Sequence, residues 1–466
     1  MKNNTVQFID FYVKIYSKKI VLIGVILSNF TSLELNYHLF LQDSYKKFCD
    51  LPGFVLLESS DKTRGRYDIL SAYPYDRVVF WADQASKYSS QDKLRELLLN
   101  HQSIDDLPFQ GGAIGYISYD FGAQLYGIKT KPQESLSDMP LIDMGLYDWA
   151  IITDHHLRKV TLFAANRHTS TKNLIEEIIQ IWNEPPIKSH LFKLNSEFIP
   201  LVSKEDYQHS FSAINSYLNE GRTYQVNLTQ PFHADFSGDS WEIYRTITNK
   251  NPVPFSAFIR NKEADILSFS PERFLQYNQG TILASPIKGT IARSIDPNID
   301  EELKNQLISC EKNRAENVMI VDLMRNDLGK IAKPGSVKVT NLCEVQSYNS
   351  VHHLVSDIEA TCMDHLNPFD IFLSCFPGGS ITGAPKLEAM NIINEQEPYA
   401  RGIYCGSIGY FSSHGRFDTN IAIRTITAKN NILHLAAGGG ILIDSKCEDE
   451  YLECYTKIAA IINGLK

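Results

Sequence analysis

The pattern of apolar and polar positions changes character near residue 190. Before that point short β-rich runs are mixed with helical ones. The opening apolar run, residues 20–27 after Lys18 and Lys19, reads as a core strand. It is too short to span a bilayer, and no small-x-small cleavage pattern follows it. Pro185 and Pro186 interrupt both periodicities and mark residues 183–189 as a linker between regions 1–190 and 191–466. From Glu205 the order is helix, a run of strands, helices, then strands again, the grouping of an α+β chain rather than of alternating βαβ units.

Several of these elements carry chemistry. Residues 266–274 and 281–288 are β-rich runs about Gln279 and Gly280, a hairpin signal. Folding about Gly280 sets Glu272 opposite Lys288 on one face of a sheet. The pair reads either as an ordinary cross-strand ion pair or as catalytic, and Pro286 and Gly289 mark a constrained backbone beside the lysine. Leu303, Leu307, Val318, Val321 and Met324 keep helical spacing through a segment that includes Glu316. Ser445 and Glu448 form an S-x-x-E capping box, opening a helix with Glu450, Glu453 and Lys457 on one side and Tyr451, Tyr455, Ile458 and Ile462 on the other. Carboxylates drawn from two helices are a source of hard oxygen ligands for Mg²⁺, and equally a solvated face.

Two glycine-rich stretches stand out. FPGGSITGAPK (376–386) precedes a helical run, with Pro385 suited to its first turn and Thr382 just before, an N-terminus that favours an anion. It is not a phosphate-binding Walker loop, because Ala384 and Pro385 follow Gly383 where Lys and Ser or Thr would be needed. In AAGGGILIDS, Gly438, Gly439 and Gly440 permit close approach of backbone to a ligand or make a tight corner. Arg424, in the apolar run NIAIRTIT, suits a carboxylate or faces outward from a half-exposed strand. His353, in SVHHLVS, reads as a buried, hydrogen-bonded core residue.

Composition narrows the partners. The chain has 466 residues, 43% of them apolar, and a net charge of −9 without a Lys/Arg run, which disfavours nucleic acid and anionic membrane surfaces and favours a small-molecule ligand. Its eight cysteines form no CxxC pair and no zinc spacing with histidine, which fits a reduced, cytoplasmic protein.

In order along the chain, PFxGGxxGYxxYD (108–120), YQVNLTQ (224–230), NPVPFSAF (251–258), SPERF (270–274), PIKGT (286–290), NRAENVMIVDLMRNDLG (313–329), FPGGSITGAPK, YCGSIGY (404–410) and GGGILIDS resemble the chorismate-binding family. That family comprises the large subunits of aminodeoxychorismate and anthranilate synthases, with isochorismate and salicylate synthases. The likeness runs from about Leu51 to the C-terminus. It implies an α+β fold of two packed β-sheets with outer helices, in which regions 1–190 and 191–466 interleave.

The resemblance also implies roles. Isochorismate and salicylate synthases carry a water-activating lysine where Gln225 stands, so ammonia is the expected nucleophile here. Anthranilate synthases have PIAGT, whereas aminodeoxychorismate synthases have PIKGT, whose lysine attacks C2 of chorismate as the 4-hydroxyl leaves; ammonia then attacks C4 and expels it. An unperturbed lysine is neutral only about once in 2,500 at pH 7, so Lys288 requires burial or a neighbouring cation. Glu272 is the implied proton donor and acceptor. Glu316 and Glu453, with Glu450 nearby, are the implied Mg²⁺ ligands. Arg424 and Tyr404, with the Gly440 backbone, take the other carboxylate; His353, Thr382 and Gln225 lie beside the substrate, and Lys457 neutralises the glutamates. LLESS (56–60) with NPVPF resembles the family's tryptophan-binding element and gives Ser59, Pro254 and Phe255 as a tryptophan pocket, or else a plain core strand. Asn313 and Ser285 depart from the family's usual aspartate and arginine. No glutaminase nucleophile motif is recognisable, which implies a separate glutaminase subunit as ammonia source. Anthranilate synthase activity and a non-catalytic chorismate- or tryptophan-binding paralogue are the alternatives.

Overall fold

Strand residues of alternating orientation explain why this chain builds layers. Phe258 pairs with Leu267 and Ile259 with Ile266 across neighbouring strands. The first pair faces the helix Ser240–Lys250, where Phe258 meets Trp241 and Tyr244 edge-on. The second pair faces the other way and packs with Ile114, Tyr116, Ile408 and Tyr410 of a second sheet. Burying each such side chain stabilises the fold by about 1.5–3 kcal/mol.

A computed structural model of the chain describes residues 24–27, 30–82, 87–98, 106–188, 191–348 and 351–465. Among these residues the strands form two antiparallel sheets, of 14 and 10 strands, with helices on their outer faces, an α+β architecture. The larger sheet joins Phe30–Leu35, Lys159–Ala164, Trp149–Asp154, Tyr67–Ser71 and Val55–Glu58 to the later strands through the pairing of Val55–Glu58 with Phe255–Arg260. The smaller sheet combines Gly112–Ile117, Ile142–Tyr147 and Asp76–Phe80 with strands from beyond residue 270. Lys204–Asn219, Ser240–Lys250 and Cys447–Leu465 cover the larger sheet, and Glu311–Gly329 lies on Ile287–Ala292 and Val351–Thr361 of the smaller one. No helix of the described residues is long and apolar enough to cross a membrane.

Two neighbouring segments pass from one sheet to the other. Asp265–Ser270 belongs to the larger sheet and Arg273–Asn278 to the smaller. Their partners Thr425–Lys429 and Phe417–Asn420 make the same change. The crossings are tied together by Ile421 N–H to Glu272 O (3.0 Å), Phe269 N–H to Arg424 O (3.0 Å) and Ser270 Oγ to Ile421 O (2.6 Å). Arg424 has a φ of +50°, so it stands at a break and not within the continuous strand expected for NIAIRTIT.

Other expectations shift for local reasons. Gln279 and Gly280 both have positive φ, the signature of a two-residue type I′ turn that pairs Asn278 with Thr281. That register is one residue away from the one that sets Glu272 opposite Lys288, and both expected runs are interrupted, at residues 271–272 and 285–286. The expected long helical segment is two helices, Pro297–Ser309 and Glu311–Gly329, and Val318 is 41% exposed. Of the opening run, Gly24–Leu27 is a strand on Phe30–Leu35 and the rest lies outside the described residues. The helix Thr169–Asn183 ends where the prolines begin.

A buried ion pair locks the larger sheet to the FPGG loop. Arg401 donates twice to Glu397 (2.6 and 2.8 Å), and also to Ile381 O (2.9 Å) and Asn227 O (2.8 Å), while Glu397 accepts from Thr229 N–H (3.0 Å). Arg401→Met leaves a buried carboxylate unpaired and is expected to destabilise the protein by about 3–5 kcal/mol in chemical denaturation. Arg401→Met with Glu397→Leu is expected to recover only part of that loss, since the Asn227 carbonyl and the Thr229 N–H lose their partners, whereas Ile381 O keeps the Asn227 side-chain amide (3.1 Å).

Candidate functional site

Lys288 is aimed by a bulge. Ile287 pairs with Val355 and Thr290 with His353, so one extra residue is accommodated at 288–289. Gly289 has a φ of +89°, and a Cβ there would press on Asn313 at 3.1–3.2 Å. Bulges of this kind re-aim a side chain out of the regular pleat. The Lys288 amine donates to Ser380 O (3.2 Å), and Ser380 Oγ donates to Glu272 Oε1 (2.8 Å). The expected face-to-face pair is therefore replaced by a bridge through Ser380, a residue within the quoted FPGG motif that sequence reasoning did not single out.

The groups around the half-buried lysine are charged: Glu272 and Glu450 are buried, Glu316 and Lys457 half-buried and Glu453 exposed. Burial holds the Lys288 amine below the ordinary lysine range and Lys457 pushes the same way, against Glu316, Glu272 and Glu453. Burial raises the Glu272 carboxyl, which is 5% exposed, although Ser380 and Lys288 oppose the shift. Burial likewise raises Glu316 and Glu450. Glu453 differs: burial pushes it up, but Lys457, 2.6 Å away, outweighs burial and holds it below the usual range. Lys457 also donates to Gly438 O (2.8 Å).

The glycine triplet makes room for this cluster. Gly438, Gly439 and Gly440 belong to the continuous strand Ile432–Ile441 and form no corner. A Cβ on Gly439 would strike Glu450 at 2.8 Å, and one on Gly440 would strike Gln225 at 1.8 Å. Side chains occupy the space the glycines leave. Ser445 spends its hydroxyl on Glu450 (2.6 Å), and Glu448 turns to Lys204 (2.8 Å), so the expected capping box does not form.

At the sheet crossing, the Arg424 guanidinium is half-buried and burial alone lowers its proton affinity, with no hydrogen-bonded or ionic partner among the described residues. Buried Tyr404 comes to the same crossing because Cys405 N–H donates to Ala422 O (2.9 Å). His353 is buried as expected; burial, then Arg424, lower it to about 3, and its Nδ1 meets Thr290 Oγ1 at 2.7 Å. A neutral imidazole thus stands by the bulge. Gln225 is 2% exposed and its Oε1 has no partner. Thr382 is fully buried, with its hydroxyl turned back to Gly378 O (3.0 Å). The helix after it begins at Lys386 with Pro385 as N-cap, and the Lys386 amine is buried on Asp327 (2.5 Å), Cys375 O and Pro377 O (both 2.8 Å). The glycine-rich turn is thereby pinned from within by a cation, a role not foreseen for that helix start.

Residues 53–463 match the model of the chorismate binding enzyme family. The chain belongs to that family. Aminodeoxychorismate synthase component 1 of Salmonella typhimurium is 41% identical over 434 residues, covering 89% of this chain and 94% of the relative. Anthranilate synthase component 1 of Acetivibrio thermocellus is 31% identical, covering 97% of each. The crystal structure of anthranilate synthase component I from Streptococcus pneumoniae superposes with a TM-score of 0.78 at 28% identity, covering 86% of this chain and 92% of that one.

Within the chorismate-binding fold, Ser59, Pro254 and Phe255 line one cavity of about 800 Å³ between the sheets. Ser59 is committed to Asp68 through its N–H (2.8 Å) and to Tyr67 O through its hydroxyl (3.0 Å). Among the described residues no three His, Cys, Asp or Glu side chains close on a single point as a metal cage. Glu316, Glu450 and Glu453 still interact electrostatically, with Lys312, Lys288 and Lys457 supplying the positive charge. Such an open carboxylate set suits Mg²⁺, which takes one or two carboxylates and completes its shell with substrate oxygens and water.

The raised Glu272 carboxyl has a stability consequence. A carboxyl whose pKa is raised on folding contributes stability at low pH that is lost as pH rises through the folded value. Glu272→Gln is expected to raise the melting temperature at pH 8, with the gain shrinking toward pH 4.5.

Proposed function

We propose that this chain converts chorismate and ammonia to 4-amino-4-deoxychorismate, the precursor of p-aminobenzoate for folate synthesis, through covalent attachment to Lys288. The observation that carries the reading is Lys288 itself. It stands in PIKGT, set in a bulge, with its amine pushed toward the neutral form by burial and Lys457 and linked to Glu272 through Ser380. The 41% identity to an aminodeoxychorismate synthase component 1 supports it.

In this mechanism the Lys288 amine, in its neutral form, bonds to C2 as Glu272, in the protonated form that burial favours, donates to the 4-hydroxyl and water departs. Ammonia then bonds to C4, the double bond returns, the C2–nitrogen bond breaks, and Glu272 takes a proton from the incoming nitrogen. Arg424 and Tyr404 hold one substrate carboxylate, which the unpartnered guanidinium supports. Gln225 offers its free Oε1 to an N–H or O–H of the reactants, and His353 and Thr382 shape the wall beside the ring with the Gly440 backbone. Glu316 and Glu453 would hold Mg²⁺, with Glu450 reaching it through water; when bound it supplies positive charge for the other carboxylate. Lys457 keeps Glu453 ionised for that task. A glutaminase subunit in the cytosol supplies the ammonia, and the cavity at Ser59, Pro254 and Phe255 accepts tryptophan apart from the reaction. The anthranilate synthase reading is kept alive by the 31% identical relative and opposed by Lys288.

The decisive experiment gives the purified chain chorismate, Mg²⁺ and ammonium, beside Lys288→Ala, and identifies products by mass spectrometry. Aminodeoxychorismate from the wild type, lost or replaced by anthranilate in the variant, is expected. An adduct on Lys288 of chorismate less water should be trapped when ammonium is withheld. Anthranilate from the wild type would sink the covalent-lysine reading, and full glutamine-dependent turnover by this chain alone would remove the need for a partner.

A further inference from the structure

A second cavity, of about 490 Å³, lies between the 127–141 segment and residues 400–403, apart from the charged cluster at Lys288. Ile128, Leu136, Met139, Leu141 and Ile403 give it an apolar lining. Gly127 and Gly402, with φ of +76° and +61°, also border it, and a Cβ on either would meet nothing within 4 Å. A volume of this size falls in the usual range for small-molecule sites, roughly 300–1,000 Å³, and is far larger than a single water needs.

Asp120 stands in its wall. The residue is 3% exposed; Oδ2 accepts the Gly402 N–H at 2.7 Å, and Oδ1 has no hydrogen-bond partner. Thr130 and the Arg401 amide lie near enough to favour the carboxylate, but Thr130 does not reach bonding geometry to Oδ1, and burial prevails, moving the carboxyl up to about 6. It remains mostly ionised above pH 7. Lys129 and Lys131 border the cavity as well, both exposed at its mouth, and Lys131 is held on Glu395 O (3.1 Å) and Glu397 O (3.0 Å). The buried charge inside is therefore negative.

We propose that this cavity binds a small primary amine in its ammonium form, one N–H donating to Asp120 Oδ1 and an apolar body filling the space between Leu136, Met139 and Ile403. A buried carboxylate oxygen is an acceptor only, so it selects a donor, and a cationic donor cancels its charge where a hydroxyl cannot. The apolar lining selects the rest of the ligand. The inference is independent of the reaction proposed above.

The test uses the full chain at pH 7.5 without chorismate and measures binding of phenethylammonium by calorimetry, with 2-phenylethanol and 3-phenylpropionate as neutral and anionic comparators. Asp120→Asn keeps an oxygen for the Gly402 N–H and removes the charge; Met139→Trp fills the cavity and leaves Asp120 untouched. Saturable binding of the ammonium compound, weakened about tenfold or more in each variant and absent for the anion, is expected. Binding unchanged in Asp120→Asn, equal affinity for either comparator, or no binding to the wild type at millimolar concentration overturns the proposal. Should Asp120→Asn fail to fold by circular dichroism, Met139→Trp decides by the same criterion.

Discussion

The paired crossing of two antiparallel strands from one sheet to the other is the constraint on which this site depends. Each crossing breaks regular pairing, so backbone groups there must find partners at once. They do so on each other, through Ile421 to Glu272, Phe269 to Arg424 and Ser270 to Ile421. The same break delivers Glu272 from one strand and Arg424 from its neighbour into the seam between the sheets. Neither residue could reach that seam from an unbroken strand, where alternate side chains point into a packed apolar layer or out toward helices. Glu272 and Arg424, the proton donor and the anion-binding arginine of the proposed reaction, are thus brought together by how the two sheets are joined.

Once the seam is polar, its electrostatics decide what it can do. Four carboxylates and the amines of Lys288, Lys312 and Lys457 share a partly dry volume, and for Lys288 burial prevails over the pull of Glu316, Glu272 and Glu453. That balance is precarious toward substrate. A unit negative charge about 6 Å from the amine favours its protonated form by on the order of 3 kcal/mol at an effective dielectric constant of 20. In the proposed reaction, a dicarboxylate arriving unneutralised would silence the Lys288 amine that is to attack it. There, Arg424 on one carboxylate and a divalent cation on the other would resolve this conflict, and the open carboxylate set would then serve to admit positive charge together with the substrate.

Sequence carried the layer architecture and the list of chemical groups, because long motifs and apolar alternation are local. The PIKGT backbone constraint was legible in Pro286 and Gly289, and it emerges as the bulge at 288–289. What failed was register and reach. One residue of error at a type I′ turn, with a sheet crossing at 271–272 and a break at 285–286 hidden inside runs of continuous β character, misplaced Glu272 against Lys288. Ser380, which joins them, lies about a hundred residues away in a loop whose local pattern says only that it turns. Gly438, Gly439 and Gly440 looked like flexibility for backbone, whereas the absent Cβ atoms make room for Glu450 and Gln225. Ser445 illustrates the same limit, since a capping pattern cannot reveal that a buried carboxylate competes for its hydroxyl.

The two buried ion pairs that brace the site differ from those that hydrophobic residues could replace. Replacement of a buried pair by apolar side chains is often neutral or favourable when the pair satisfies only itself. Here each cation also serves backbone carbonyls: Lys386 binds those of Cys375 and Pro377, and Arg401 those of Ile381 and Asn227. The carbonyls of Cys375, Pro377 and Ile381 flank Ser380 along the chain. Asp327, the partner of Lys386, rides on the same helix as Glu316, and Glu397 reaches Thr229 in the strand that carries Gln225. The desolvation cost of the pairs is offset by bonds that no apolar residue offers. Through them, the loop bridging Lys288 and Glu272 is fixed relative to both the helix that carries Glu316 and the strand that carries Gln225.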